Sequence, residues 1–506
     1  MGSLIDNLAL GFSVALSWQG LFFVIVGVTL GTLVGVLPGI GTTATISLLL
    51  PLTFYVEPTM AIIMLAGIYY GGAYGGSTTS ILLNVPGSAS AAVTCLDGHP
   101  MARQGRAGVA LFVACIVSLF GGLVGLGLLI AFAPSLARLA LTFGPYEYFA
   151  LMLLGLVGAI VMSSAGFLRA TAAVLIGVLL GLIGNDVQTT MPRFTFGQLD
   201  LVEGISIVAL ALGLFGVSEV VRSARTADDQ QLITKKVSFR SMLPTRDDIR
   251  RLTPAAMRGT ALGSVLGILP GTGSLIASFM AYALEKRVSK HPEEFGKGAV
   301  EGVASPEAAN NAAVQTAFIP TLALGIPGDA VMALMLAALI IHGVIPGPGL
   351  LTNHPEVFWG VTASFLVGNI VLVALSLPMI GVWIRILSIP YRHLFPAIMV
   401  FLCIGVYSVN QSVFDVLMTA IIGGVGYFLS VLRIDIAALL LGFVLGPMME
   451  EELRRGMLIA RGDWTVFAQR PLTASILVII LALVAWSAYP SLRKRLTRRT
   501  AGGAAS

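Results

Sequence analysis

The residues that could do chemistry in this sequence are mostly neutral ones placed at breaks in apolar segments. Two copies of a Leu-Pro-Gly-x-Gly element stand out, Leu37-Pro38-Gly39-Ile40-Gly41 and Leu269-Pro270-Gly271-Thr272-Gly273. Thr42, Thr43 and Thr45 follow the first, and Thr272 and Ser274 flank the turn of the second. A hydroxyl run, Ser77-Thr78-Thr79-Ser80, precedes a further break at Asn84-Val85-Pro86-Gly87. In the matching stretch, Glu307, Asn311 and Gln315 recur every four residues and so share one helix face, ahead of Gly325-Ile326-Pro327-Gly328-Asp329. Proline removes a backbone donor and glycine permits tight turns, so each break leaves helix ends with free N–H or C=O groups. Free N–H ends attract anions, and exposed carbonyls can ligate Na⁺. Hydroxyls, amides and N–H groups suit a carboxylate that must also be released. The expected substrate-binding set is Pro38, Gly39, Gly41, Thr42, Thr43, Ser77, Thr78, Thr79, Asn84, Pro270, Gly271, Thr272, Gly273, Ser274, Asn310, Asn311, Gln315, Pro327 and Gly328. Gly39, Gly271, Glu307 and Asp329 are the candidates for ion coupling.

Structural readings compete with these. Gly35 with Gly39, or Gly267 with Gly271, also fits a small-xxx-small packing face. The hydroxyl run could back-bond to the preceding helix turn, and Asp329 could cap the following helix. Tyr69, Tyr70 and Tyr74 read as packing aromatics. No catalytic constellation is evident: Cys95, Cys115 and Cys403 lack paired spacing, and the five histidines are scattered. No metal or organic cofactor is expected, and the chain is not read as an enzyme. A membrane-embedded transferase would need a His, Cys or paired-carboxylate site at membrane depth. A passive anion channel stays open, because Pro-Gly half-helix breaks also occur in pores.

The elements that must position these groups lie in a bilayer. Of 506 residues, 56% are hydrophobic and only 11% charged, with a mean hydropathy of +0.92. So few charges cannot cover a particle of this size in water. A span needs about 20 apolar residues. Continuous candidates lie near 107–133, 147–162, 168–184, 203–221, 356–384, 395–411, 414–432, 434–449 and 471–490. Four more are broken: 20–53 and 257–284 at the Pro-Gly elements, 58–97 at the Gly/Ser/Thr run and Pro86-Gly87, and 306–341 at Pro320 and Pro327-Gly328. Residues 1–19 carry no Lys or Arg, so they lack the basic start of a cleavable signal.

The breaks repeat. Residues 31–41 and 263–273 are identical at Gly31, Gly35, Leu37, Pro38, Gly39 and Gly41. Two homologous halves suggest a transporter-like duplication, 1–221 and 257–450, joined by a basic linker 222–256 and followed by an extra helix and basic tail in 451–506. Nine Lys or Arg between Arg222 and Arg258, and five between Arg493 and Arg499, put linker and tail in the cytoplasm. The formal charge of +5 therefore reflects membrane orientation, and no nucleic-acid partner is expected. If 20–53 and 257–284 are re-entrant, the first half enters from outside and the second from inside. The expected fold is an all-α polytopic membrane protein with two inverted-topology repeats, each with a re-entrant hairpin and a discontinuous helix.

The paired LPGxG elements, the stretch Ser305-Pro306-Glu307-Ala308-Ala309-Asn310-Asn311-Ala312, Gly325-Ile326-Pro327-Gly328 and Gly462-Asp463-Trp464 together resemble the large membrane subunit of tripartite tricarboxylate transporters, the TctA family. The resemblance runs over nearly the whole chain. It implies a multi-pass carrier in the bacterial inner membrane, driven by a Na⁺ or H⁺ gradient. It also implies three partners: a small four-helix membrane subunit, a periplasmic substrate-binding protein, and a di- or tricarboxylate such as citrate.

Overall fold

Helix starts in this chain are marked by short polar caps set between apolar runs. In the computed structural model, which describes 3–37, 41–186, 188–224, 242–269, 271, 273–376, 378–379, 382 and 391–502, such caps open several of the long helices. Pro38, Gly39, Pro270 and Thr272 of the expected site lie outside the described residues.

The chain begins with α1 (Leu4–Ala15), α2 (Trp18–Val36), α3 (Thr42–Thr53) and α4 (Pro58–Leu83). Ser17 caps α2 through the Gly20 N–H, and Glu57 caps α4 through the Thr59 and Met60 N–H groups. A 3₁₀ turn at Ser90–Ala92 leads to α5 (Thr94–Met101), which passes through a π-helical stretch into α6 (Ala107–Ala140). Then come α7 (Pro145–Met162), α8 (Phe167–Gly181), α9 (Ile207–Ala211) and α10 (Ser218–Ala224). The second part holds α11 (Arg246–Ile268), α12 (Gly273–Val288), α13 (Glu301–Thr316), α14 (Phe318–Leu324), α15 (Ala330–Ile341), α16 (Leu350–Asn353) and α17 (Pro355–Ser376). It ends with α18 (Tyr391–Asn410), α19 (Val413–Val431), α20 (Ile436–Ile459), α21 (Val466–Gln469) and α22 (Pro471–Gly502).

The all-α class holds apart from a two-residue ladder, Gly184–Asn185 against Pro192–Arg193. Among the described residues, five helical segments are long and apolar enough to cross a membrane: Trp18–Val36, Thr94–Ala140, Pro145–Met162, Pro355–Ser376 and Val413–Val431. The protein is a multi-pass helical membrane protein.

Several boundaries differ from the sequence expectation. The Gly/Ser/Thr run of 58–97 does not interrupt its helix: α4 continues to Leu83, with the hydroxyls of Ser77, Thr79 and Ser80 in reach of carbonyls four residues earlier and, at shorter distance, of partners on other segments. The break there is at Asn84, which closes α4 in the left-handed conformation. The helix expected at 434–449 runs on to Ile459, aided by ion pairs of Glu450 with Arg454 and of Glu451 with Arg455. The expected span 203–221 is divided by a π-helical stretch at Leu212–Val217.

The chain forms two compact units, one of residues 1–141 and 206–428, the other of 142–205 and 429–506. Glycine seams set the first. Along α2, a Cβ on Gly27, Gly31 or Gly35 would run into the backbone of Met64, Ile68 or Gly72 on α4. Along α11, a Cβ on Gly259, Gly263 or Gly267 would run into Ser305, Ala309 or Ala313 on α13. Both seams advance in the same direction on both helices, so each pair packs parallel at backbone contact. The packing role considered for Gly35 and Gly267 is thus present.

Polar bonds fix the ends of this unit. The Asp97 carboxylate is fully buried and accepts the N–H groups of Gly296, Gly298 and Ala299 at 2.8–2.9 Å, with the Tyr282 hydroxyl at 2.9 Å. Arg258 grips Glu285 through two bonds, and Arg251 joins Glu301 and Glu294. These bonds tie the loop before α13 to α5 and so hold the two helices at a fixed register.

In the second unit, Gly177 and Gly181 of α8 meet the Leu439 and Phe443 carbonyls of α20. Asp186 accepts the Gln188 and Thr189 N–H groups and pairs with Arg454 at 2.8 Å, while Arg193 spans Asp186 and Glu450. The Thr189 backbone bond is the largest influence holding the Asp186 carboxyl down at about 2, against the opposing effect of burial.

Candidate functional site

Two polar centres occupy the first unit, each built across the two halves of the sequence. The first surrounds Glu307, which is 1% exposed. The α11 seam and the Asp97 tether place α13 so that Glu307 faces α4, α5 and α6. Each supplies a hydroxyl: Ser77 Oγ lies 2.7 Å from Oε2, Thr94 Oγ1 bonds Oε1, and Ser118 Oγ lies 3.4 Å from Oε2. Asn311 Nδ2 donates to Ser118 Oγ at 2.7 Å and to the Glu307 carbonyl at 3.1 Å. A cavity of about 20 Å³ adjoins the centre, bounded by Tyr74, Ser77, Thr78, Cys115 and Ser118 among others.

The second centre lies at the second Pro-Gly element. The Gly271 N–H donates to the Gly328 carbonyl at 2.8 Å, so the turn after α11 is bonded to the break between α14 and α15. Asp329 caps α15 through the Met332 N–H at 2.9 Å, and its other oxygen accepts the Tyr69 hydroxyl at 2.8 Å. Asp329 is therefore a helix cap, yet it also bonds a tyrosine from the other half of the chain. Gly273, at φ +57°, starts α12 against the Asp329 side chain, and Ser274 lies beside Tyr69. Pro327 is buried with Gly328 in this break.

Around the first Pro-Gly element, Gly41 takes φ +67° and opens α3. Thr42 is buried against Gly72 of α4, while Thr43 offers its carbonyl to Ser47. Thr79 Oγ1 donates to the Val36 carbonyl at 2.8 Å, satisfying the C-terminal end of α2 just before the tip. Asn84 is exposed at the end of α4. Three expected residues therefore have structural roles: Thr79 closes α2, Asn84 ends α4 through its left-handed backbone and Ser77 belongs to the Glu307 cage.

Asn311 joins the Glu307 centre, as its spacing suggests, but Asn310 and Gln315 are different. Both Asn310 amide atoms and Gln315 Oε1 are buried without a partner among the described residues. Such orphaned amides are costly unless something satisfies them. Tyr74 donates to Asn369 at 3.5 Å and Tyr70 packs edge-on to Phe365, in keeping with aromatic packing.

Thr94, Ser118 and Tyr69 are members of these centres that the sequence reading missed as contacts. Ser118 is a single hydroxyl in an otherwise apolar stretch, and Thr94 is one of several small polar residues between Ser88 and His99 with nothing to single it out. A group able to hold a metal, His291 with Glu293 and Glu294, lies on an exposed turn, and its Glu294 is committed to Arg251.

Comparison with known proteins follows the same outline. The profile of the tripartite tricarboxylate transporter TctA family matches residues 21–441. A protein of Agrobacterium vitis, "Uncharacterized 52.8 kDa protein in TAR-I ttuC' 3'region", is 52% identical over 495 residues, covering 98% of each chain. Another from the same organism, "Uncharacterized protein in TAR-II ttuC' 3'region", is 54% identical over 233 residues, 46% of this chain and 96% of that protein. No solved structure matches the chain.

Proposed function

The chain belongs to the tripartite tricarboxylate transporter TctA family, and from that premise we propose that it is the membrane subunit that moves a di- or tricarboxylate inward, driven by a Na⁺ or H⁺ gradient. A periplasmic binding protein delivers the anion, and a small four-helix subunit completes the complex in the bacterial inner membrane. The two halves are inverted repeats, and 20–53 and 257–284 are re-entrant hairpins whose tips approach the substrate.

One observation carries this reading: the second tip and the second break meet at Gly271–Gly328, with Asp329 and Tyr69 beside them. Bent backbone of this kind survives at membrane depth only where protein or a hydrated cavity covers it. The unpartnered Nδ2 of Asn310 adds a neutral donor that a carboxylate could use. The repeated glycine seams support a duplication, since each holds the helix before a tip against the helix before a break.

Whole-cell uptake over a panel of labelled organic acids tests this. At low concentration, uptake of at least one di- or tricarboxylate is expected to require both this chain and the binding protein. Full uptake by this chain alone would remove it from the three-part mode of action.

A further inference from the structure

We propose that Glu307 is a protonation site, loaded and unloaded through the cage hydroxyls of Ser77 and Ser118, so that H⁺ is the coupling ion. This rests on the transport reading above and assigns the ion that reading leaves open. The side chains bonded to the Glu307 carboxylate are hydroxyls from α4, α5 and α6, and among the described residues it has no Lys, Arg or His partner. Several charged groups of the neighbouring helices are committed elsewhere: Arg258 of α11 to Glu285 of α12, Glu301 of α13 to Arg251, and Asp97 of α5 to Tyr282 and the loop amides. The other ionisable groups around it are Tyr74 on α4, Cys95 on α5 and, beside Tyr74, Cys115 on α6. Phenols and thiols are neutral at pH 7, which leaves the carboxyl as the group that can change charge. A buried carboxylate kept permanently ionised calls for a cation partner, whereas one that is neutral for part of a cycle does not.

The cage can satisfy both states, because a hydroxyl both donates and accepts. Ser77 Oγ lies 2.7 Å from Glu307 Oε2 and 3.1 Å from the Ala73 carbonyl. With Glu307 ionised, Ser77 donates to Oε2. With a proton on Oε2, the acid donates to Ser77 Oγ, and the serine proton turns to Ala73. One proton is added, the carboxyl loses its charge, and no other group changes charge. Ser118 accepts from Asn311, which leaves its own proton for Oε2. The adjoining cavity of about 20 Å³ has room for about one water and touches both serines, giving the proton a path to the cage. The cage oxygens are drawn into direct hydrogen bonds with one another, an arrangement that takes up a proton without being opened.

Infrared titration of the purified full-length chain, and uptake into vesicles holding it with its partner subunits, test this. Expected is a protonated-carboxyl band that titrates in the wild type and is missing in Glu307→Gln. An inward pH gradient without Na⁺ should drive accumulation in the wild type. Glu307→Gln should lose accumulation yet still exchange labelled for unlabelled substrate. Thr94→Val removes a bond to the ionised form and should move the uptake midpoint up by about one pH unit; it keeps the test decisive if Glu307→Gln folds poorly. Accumulation that needs Na⁺ and ignores the pH gradient, or wild-type accumulation in Glu307→Gln, would overturn the proton site alone. A wild type that moves no organic acid under either gradient would overturn the transport reading as well.

Discussion

Gly271 takes φ +81°, a conformation in which a Cβ is disfavoured by about 1–2 kcal/mol, while its N–H holds the Gly328 carbonyl. Gly263 is a glycine for another reason, since a Cβ there would run into the Ala309 backbone. The two positions should therefore fail differently. Gly271→Ala is expected to insert and purify with near-normal yield but to transport poorly. Gly263→Ala is expected to lower the yield and melting temperature, with the surviving protein still active. Purified yield, Tm and uptake measured on both variants decide this, and normal transport by Gly271→Ala would argue against a working tip. At this scale the sequence was half legible. The Pro-Gly turns, Glu307, Asn311 and Asp329 announce themselves as polar or strained groups in apolar segments. Ser118 and Thr94 do not, because only the meeting of α5 and α6 with α13 turns two ordinary hydroxyls into carboxylate ligands.

The breaks after α2 and α11 were readable because proline and glycine disrupt a helix locally. The continuity of α4 was not, since serine and threonine count against a helix by propensity but here find partners on distant segments, Ser77 at Glu307, Thr79 at the end of α2 and Ser80 at the Ala91 carbonyl. The seam glycines were visible as spacing, but their partner helices were not. In the second unit, the hairpin after α8 depends on one carboxylate. Asp186 is held at about 2, below the usual carboxyl range near 3.9, so its contribution to stability is complete above about pH 4 and fades as pH falls towards 2. Asp186→Asn should therefore melt below the wild type at pH 7, with the gap closing between about pH 4 and pH 2. Detergent-solubilised melting curves across that range test it, and a gap that persists unchanged at pH 2 would show that charge is not the cause.

Each compact unit draws residues from both halves of the chain, so the duplication read from sequence and the units seen in space divide the protein differently. Repeats are visible in sequence as recurring motifs, whereas units arise from packing between distant segments. Orientation is a property of the whole chain, and its basic linker and tail predict a cytoplasmic placement for both. Cysteines placed in 222–256 or after Arg493 should be shielded from an impermeant thiol reagent in intact cells, while those at 190–200 and 345–355 should react. External labelling of 222–256 would contradict the inverted arrangement. The central claim, that the chain is part of a coupled importer, is tested most directly by the steady-state ratio of a labelled di- or tricarboxylate inside and outside vesicles carrying the complete complex with its binding protein. A ratio well above one, collapsing when the ion gradient is dissipated, is the expected result. A ratio that settles at one whatever the gradient would identify a passive pathway and contradict it.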